Sequence, residues 1–310
     1  MELKLFGTIS SSFSGRRRLP GTLRILLLCL CLTLAVIAAN LMYSALTLPT
    51  DVLAGAAGEL LYVSTFSALE DDWDIFAGEQ SARIVAEHLE ISVGAPQTAV
   101  WSTASPRFAD FDISVRAIAR DGPLDNAYGL VFHVNDQADG ACALPAIVLC
   151  GISELVPLAG AALKQLLDFR PTASYSAFMI SSDGYYSLWR TEDGRTEALS
   201  AWIPLSTINQ GLGVENTIRI VAQGSRYKFF INDFHVPLCL PDDATAASTY
   251  AGGECIDGNM QDAYEDEKTR RGRIGVIAQA TATGGGGVVV RFDDFIVYSP
   301  AQTDGEAARL

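Results

Sequence analysis

The chain has 310 residues, 49% of them hydrophobic, and a formal net charge of −14. That length holds one large or two small domains and a substantial buried core. Lys4, Arg16, Arg17, Arg18 and Arg24 stand against Glu2 in the first 24 residues, leaving 17 basic and 35 acidic residues beyond, a charge of about −18 that argues against nucleic acid as a partner.

Residues 1–24 read as a short cytoplasmic tail, and residues 25–46 (ILLLCLCLTLAVIAANLMYSAL) carry no charge. As a helix, that run is long enough to cross a hydrocarbon core of ~30 Å. Basic residues precede it and Asp51 and Glu59 follow, so the positive-inside rule exports the body. The sequence favours an uncleaved signal anchor over a cleaved signal peptide, because the apolar run continues past Val36-Ile37-Ala38 and the basic segment before it is long. The expectation is a single-pass cell-membrane protein with its C-terminal domain extracytoplasmic.

Residues 47–59 are small and read as a linker, and from 60 to 300 the texture is that of strands. Leu60 to Phe66, Ala82 to Gly94, Phe108 to Gly122 and Ala127 to Asp136 are predicted in turn. Ser176 to Gly194 contains Asp183-Gly184 and Asp193-Gly194, each a signal for a hairpin with a type I′ turn. Ile218 to Val236 (IRIVAQGSRYKFFINDFHV) reads as three strands joined by tight turns at Gly224-Ser225 and Asn232-Asp233. Arg271 to Pro300 reads as two more strands divided by a glycine run that lacks the Gly-Lys-Ser/Thr of a phosphate loop. Many strands with hardly a helix between them predict an antiparallel sandwich or barrel. Residues 301–310 form a tail.

Two stretches interrupt the pattern. Residues 136–171 form an apolar insertion whose Leu155, Leu158, Leu163 and Leu166 fall at helical spacing. An exposed apolar helix there would meet a partner or a membrane surface, whereas the plainer reading packs it on the outside of the sandwich. Residues 239–270 form a polar, acidic second insertion. Cys29 and Cys31 lie in the apolar run, and Cys142, Cys150, Cys239 and Cys255 lie in the exported body. Three disulfide pairings are open; the short closures Cys142–Cys150 and Cys239–Cys255 cost the least chain entropy. The scattered histidines and the lack of Cys-x-x-Cys speak against zinc.

Several segments together resemble the concanavalin A-like lectin/glucanase superfamily, in particular its laminin-G-like and 3-keto-disaccharide hydrolase-like bacterial branch. They are Phe66-Ser-Ala-Leu-Glu-Asp-Asp-Trp73, Phe108-Ala-Asp-Phe111, Tyr128-Gly-Leu-Val-Phe132, Ile180 to Leu188, Ile231 to Val236, Gly272 to Val276 and Val290 to Phe295. Asp233 replaces the glycine usual at that turn. The resemblance spans roughly Leu60 to Ser299. It implies an all-β jelly roll of two curved antiparallel sheets, often binding glycans on its concave face and often holding calcium. On that basis Asp71, Asp72, Asp293 and Asp294, near the two ends of the domain, are candidate calcium ligands.

The catalytic Glu-x-Asp-x-x-Glu motif of the superfamily's glycosidases is absent. Glu70-Asp71-Asp72-Trp73-Asp74 and Glu265-Asp266-Glu267 imitate it but read as solvated loops, so no catalytic residue is assigned. Tyr185, Trp189, Trp202 and Tyr227 are candidate stacking platforms for a sugar. The sequence therefore predicts a membrane-anchored, non-enzymatic module that binds envelope glycan or protein. The alternatives are an accessory subunit of a membrane complex docked through residues 141–167, and a glycoside-active hydrolase of the 3-keto-disaccharide type.

Overall fold

Alternation along Phe111–Asp121, Glu215–Gln223 and Arg226–Ile231 buries every second side chain, which is what a sheet with one face inward requires. The computed structural model describes residues 30, 31, 33–38, 52–67, 72–135, 173–192, 194–243, 246–267, 271–281 and 287–301. Residues 30, 31 and 33–38 are helical and belong to a unit of their own, separate from the β-sandwich. Among the described residues no helix is long and apolar enough to cross a membrane. Most of the expected anchor (residues 25–46) lies outside them.

The sandwich is a two-sheet jelly roll. The first sheet runs, in spatial order, Val52–Leu53, Thr98–Phe108, Gly272–Ala280, Ala127–Asn135, Ser174–Ile180, Tyr185–Glu192 and Arg195–Ala198. The second runs Phe234–Val236, Arg226–Ile231, Glu215–Gln223, Phe111–Asp121, Val288–Tyr298, His88–Val93 and Ser81–Val85. Phe132, Phe178, Phe229, Phe292 and Phe295, all essentially buried, fill the main core. At roughly 25 cal/mol per Å² of apolar area, rings of this size dominate the driving force. The first sheet is apolar on its other face too, where Val131, Ala177, Met179 and Ile277 cluster with Trp101, Trp189 and Trp202 packed against them. This explains why Ser174–Ile180 is buried almost throughout instead of alternating.

The three-stranded reading of residues 218–236 agrees with the structure. Asn232 and Asp233 both have positive φ (50° and 67°), the type I′ geometry, while at Gly224-Ser225 only the glycine does. The Asp183-Gly184 hairpin differs from expectation. Only Gly184 has positive φ (93°), and its N–H bonds the Ser181 carbonyl at 3.1 Å, so a three-residue loop ending on a left-handed glycine replaces the type I′ turn. Asp193 lies outside the described residues.

The predicted linker is shorter than expected, because Val52–Leu53 adds a parallel pair to the edge of the first sheet at Arg107 and Phe108. The second insertion is not a plain loop either. It folds into two ribbons, Leu238–Pro241 with Gly258–Gln261 and Thr249–Ala251 with Glu254–Ile256. The Cys239–Cys255 disulfide joins them. Cys142 and Cys150, the insertion 136–171, and with it Leu155, Leu158, Leu163 and Leu166, lie outside the described residues.

The Ser81–Val85 to His88–Val93 hairpin turns on Ala86 and Glu87, whose φ values of 50° and 60° suit glycine or asparagine. Holding an L side chain in this left-handed region costs about 1 kcal/mol per residue. Glu87→Gly is therefore expected to raise stability by about 0.5–1 kcal/mol, partly offset by the greater freedom of unfolded glycine. Thermal melting would show this as a rise of about 1–4 °C, and an unchanged or lower midpoint would contradict the strained turn.

Candidate functional site

A cleft of about 310 Å³ opens among the loops at one end of the first sheet, lined by Asp125, Asn126, Ser181, Asp183, Tyr185, Trp202 and Thr281. This volume is at the small end of the ~300–1,000 Å³ of ligand pockets. Chain connectivity explains the convergence. Asp125 and Asn126 precede the strand Ala127–Asn135, while Ser181, Asp183 and Tyr185 lie in or beside the hairpin loop that follows Ser174–Ile180. These strands are neighbours, with Tyr128 opposite Ile180, so the two loops abut. Trp202 immediately precedes the short strand Ile203–Pro204, where Pro204 pairs with Tyr185, and Thr281 follows Gly272–Ala280.

The hairpin loop is held from two sides. Asn126 Oδ1 accepts hydrogen bonds from the Ser182 backbone N–H (3.1 Å) and from the Ser182 hydroxyl (3.0 Å). A backbone N–H can only donate, so the amide oxygen must face Ser182 and Nδ2 points elsewhere. From the other side, the Gly211 N–H donates to the Ser182 carbonyl (2.8 Å) and the Leu205 N–H to the Gly184 carbonyl (2.9 Å). The Ser181 hydroxyl donates to Asp183 Oδ1.

The segment 205–211 that supplies those donors is itself anchored by asparagines. Asn216 Oδ1 accepts from the Asn209 backbone N–H and from Asn232 Nδ2, both at 2.8 Å, and Asn232 Nδ2 also donates to the Thr207 carbonyl. Burial pushes the phenol of Tyr128 up from its ordinary value, with the Asn216 and Ser182 side chains pulling it the other way. The loops around the cleft are thus fixed before any ligand arrives, which lowers the ordering cost of binding.

Two polar atoms in the wall are buried and have no hydrogen-bond partner among the described residues. They are Asn126 Nδ2, in a residue only 1% exposed, and Thr281 Oγ1. An unmade bond at a buried donor costs about 1–3 kcal/mol, so such groups in a native wall call for an explanation. Trp189 Nε1, beside the cleft, is in the same condition.

Of the four predicted platforms, the structure brings three together. Tyr185, 39% exposed, and Trp202 line the cleft, and Trp189 packs 6.3 Å from Trp202 between ring centroids. Tyr227 is a correction: its ring is 1% exposed in the main core, 5.6 Å from Phe132, and has no free face to offer a sugar. The polar half of the site, Asp125, Asn126, Ser181, Asp183 and Thr281, was not singled out from sequence. Its only sequence signal was the turn chemistry of Asp125-Asn126 and Asp183-Gly184, on loops that two successive hairpin strands bring to one end.

The acidic candidates are engaged elsewhere. Asp293 and Asp294 both face Arg116, at 2.9 and 2.7 Å, so a guanidinium stands between the carboxylates proposed for calcium. Asp72 accepts from the Tyr62 hydroxyl at 2.8 Å, and Asp71 lies outside the described residues. Among the described residues no three histidine, cysteine or acidic side chains converge on a metal-sized site. Asp74, expected in a solvated loop, instead accepts from Thr103 and pairs with Arg273 at 2.9 Å, stitching its segment to the first sheet. Asp266 is buried rather than solvated.

No family model matches the sequence, and no curated protein matches it. Solved structures with a similar fold include carbohydrate-binding module CBM66 from Bacillus subtilis, at 11% identity and a TM-score of 0.43, covering 74% of this chain and 96% of that one. A Bacillus subtilis protein of unknown function with a galectin-like fold gives 12%, 0.48, 78% and 97% respectively. A Bacillus licheniformis β-glucanase gives 8%, 0.44, 79% and 99%. Likeness at this level concerns architecture alone and says nothing of ligand or activity. The two-sheet topology described above is that of a jelly-roll β-sandwich.

Proposed function

We propose that this chain is a non-enzymatic glycan-binding module whose site is the cleft between Asp125 and Trp202. The observation that carries the reading is the combination within one small cleft of two aromatic rings and two carboxylates. A pyranose presents the complement: an apolar face for the rings and a rim of hydroxyls that both donate and accept. The finer reading places the module outside the cell, anchored through residues 25–46 and facing envelope glycan. It is supported by the basic residues before the uncharged run and by the cysteine usage of the body.

One observation favours a second reading, glycoside hydrolysis: Asp125 and Asp183 share the cleft, and a pair of carboxylates is what that chemistry uses. A glycan array probed with the full chain, followed by titration calorimetry on the best hit, separates the two. Trp202→Ala is expected to weaken binding more than about tenfold, or about 1.4 kcal/mol, with no product formed from the ligand by the unaltered chain. Unchanged affinity in Trp202→Ala would refute the cleft as the site, and turnover abolished by Asp125→Asn or Asp183→Asn would replace the binding reading with the enzymatic one.

A further inference from the structure

We infer that the Cys239–Cys255 disulfide is a positioning element of the cleft that fixes the aim of the Trp202 ring, an inference that rests on the glycan-binding reading of the same site. Strand pairing alone does not aim that ring. Ala198 stands opposite Trp189 and Ile203 opposite Tyr186, so the four residues 199–202 span a gap that Ser187 and Leu188 fill on the facing strand. The surplus makes a bulge, and a bulge re-aims side chains instead of following the alternation of a strand. Trp202 is the last residue of this one.

The bulge is held at its start by the strand Tyr185–Glu192 and in its middle by the second insertion. The Leu199 and Ser200 N–H groups both donate to the Leu188 carbonyl, at 2.8 and 3.1 Å, and the Ser187 hydroxyl donates to the Ser200 carbonyl at 2.7 Å. The next N–H, that of Ala201, turns away and donates to the Cys239 carbonyl at 3.3 Å. Ala201 packs on the main core, while Trp202 packs on the apolar cluster of the first sheet's other face. The Cys239 carbonyl therefore holds the backbone where these two side chains diverge. The root of the insertion is tied to the same place, because the Tyr186 hydroxyl donates to the Pro237 carbonyl at 2.6 Å.

Cys239 is held in turn by the disulfide. It is fully buried in Leu238–Pro241, and its carbonyl also accepts from the Ser248 hydroxyl at 2.6 Å. Ser248 precedes the ribbon strand Thr249–Ala251, whose partner Glu254–Ile256 carries Cys255. In that ribbon Tyr250 and Cys255 pack on the core and the other residues are exposed. A two-stranded ribbon this short is not stable by itself in water. The covalent bond therefore keeps Ser248 on the Cys239 carbonyl, and that carbonyl on Ala201. The chain of contacts runs from the disulfide to the residue beside Trp202, so Cys239 and Cys255 act through the ring and not on the sugar.

The test compares the full chain in detergent with Cys255→Ala, Trp202→Phe and the double variant, using acrylamide as a neutral quencher of indole emission. The chain has four tryptophans, so the Trp202 share is the difference between each protein and its Trp202→Phe counterpart. In Cys255→Ala that share should be quenched about twofold more steeply, and affinity for the best-scoring array glycan should fall about fivefold, with the far-UV circular dichroism of the sandwich retained. In the Trp202→Phe background the same cysteine change should cost almost no further affinity, which a general loosening of the fold would not reproduce. Unchanged quenching in Cys255→Ala would overturn the inference, and so would fully additive losses of affinity. Should Cys255→Ala fail to fold, Ser248→Ala decides, because it keeps the disulfide and removes one bond to the Cys239 carbonyl. Steeper Trp202 quenching there supports the inference, and unchanged quenching overturns it. A blank glycan array would overturn the glycan reading alone, since the quenching arm needs no sugar.

Discussion

Phe229→Ala is expected to destabilise the sandwich by about 3–5 kcal/mol, the range for removing a fully buried ring. Phe229 is 0% exposed on the strand Arg226–Ile231 of the second sheet. Its centroid lies 4.6 Å from that of Phe178 and 6.5 Å from that of Phe132, both in the first sheet. The ring is therefore a contact between the two layers, and its loss leaves a cavity that neither sheet can close alone, since interiors pack as densely as organic crystals. For a domain of this size the midpoint should fall by roughly 6–20 °C. Thermal denaturation followed by far-UV circular dichroism gives the answer, with Tyr185→Ala as the comparison because that ring is 39% exposed. A fall of less than about 1 kcal/mol at Phe229 would be incompatible with the inter-sheet packing.

What could be read in advance follows from which physical signals are local. The meander at 218–236 was legible because alternation and turn chemistry both lie within a few residues. The strand Thr98–Phe108 was missed although it is eleven residues long. Its run TAVWSTASPRF does not alternate in polarity, because the buried Ser102 and the partly buried Trp101 face opposite sides that are both covered to some extent, and Pro106 reads as a breaker. In the structure the register against Gly272–Ala280 shifts between Arg273 and Gly275, so Pro106 falls at an irregularity where a strand tolerates proline. The turn at Asp183-Gly184 was located correctly but assigned the wrong geometry, because the pull of Asn126 and of residues 205–211 on the loop is non-local.

The site shows the same division. Tyr185, Trp189 and Trp202 were identified by ring chemistry, and the structure does place them together. Tyr227 satisfied the same criterion and is core, because ring chemistry does not say which face of its strand is inward. Asp293 and Asp294 were read as cation ligands from proximity to the chain end. Arg116, 177 residues from Asp293, supplies a cation of the protein's own, and no sequence pattern announces that pairing. Asn126 carried no signal beyond its place in a turn, and it is the residue on which the cleft depends most.

Asn126→Ala is accordingly expected to remove glycan binding altogether, by more than about 100-fold, and to cost about 2–3 kcal/mol of stability. Two separable losses contribute. The Ser182 N–H and hydroxyl, both buried, lose their shared acceptor, at about 1–3 kcal/mol for groups left unsatisfied. The loop bearing Asp183 and Tyr185 is then held only from the side of Gly211 and Leu205. In addition, the side chain that stands in the wall between the two loops is removed and leaves a void there. Ser182→Ala separates the two effects. It deletes one of the two bonds to Oδ1 but keeps the backbone bond and leaves Nδ2 where it was. It should therefore lose about 1 kcal/mol of stability and only a few-fold in affinity. Calorimetric titration of both variants beside their melting curves reads the split. If Ser182→Ala abolished binding as completely as Asn126→Ala, the amide would act through its bonds to Ser182 alone and not as part of the cleft wall.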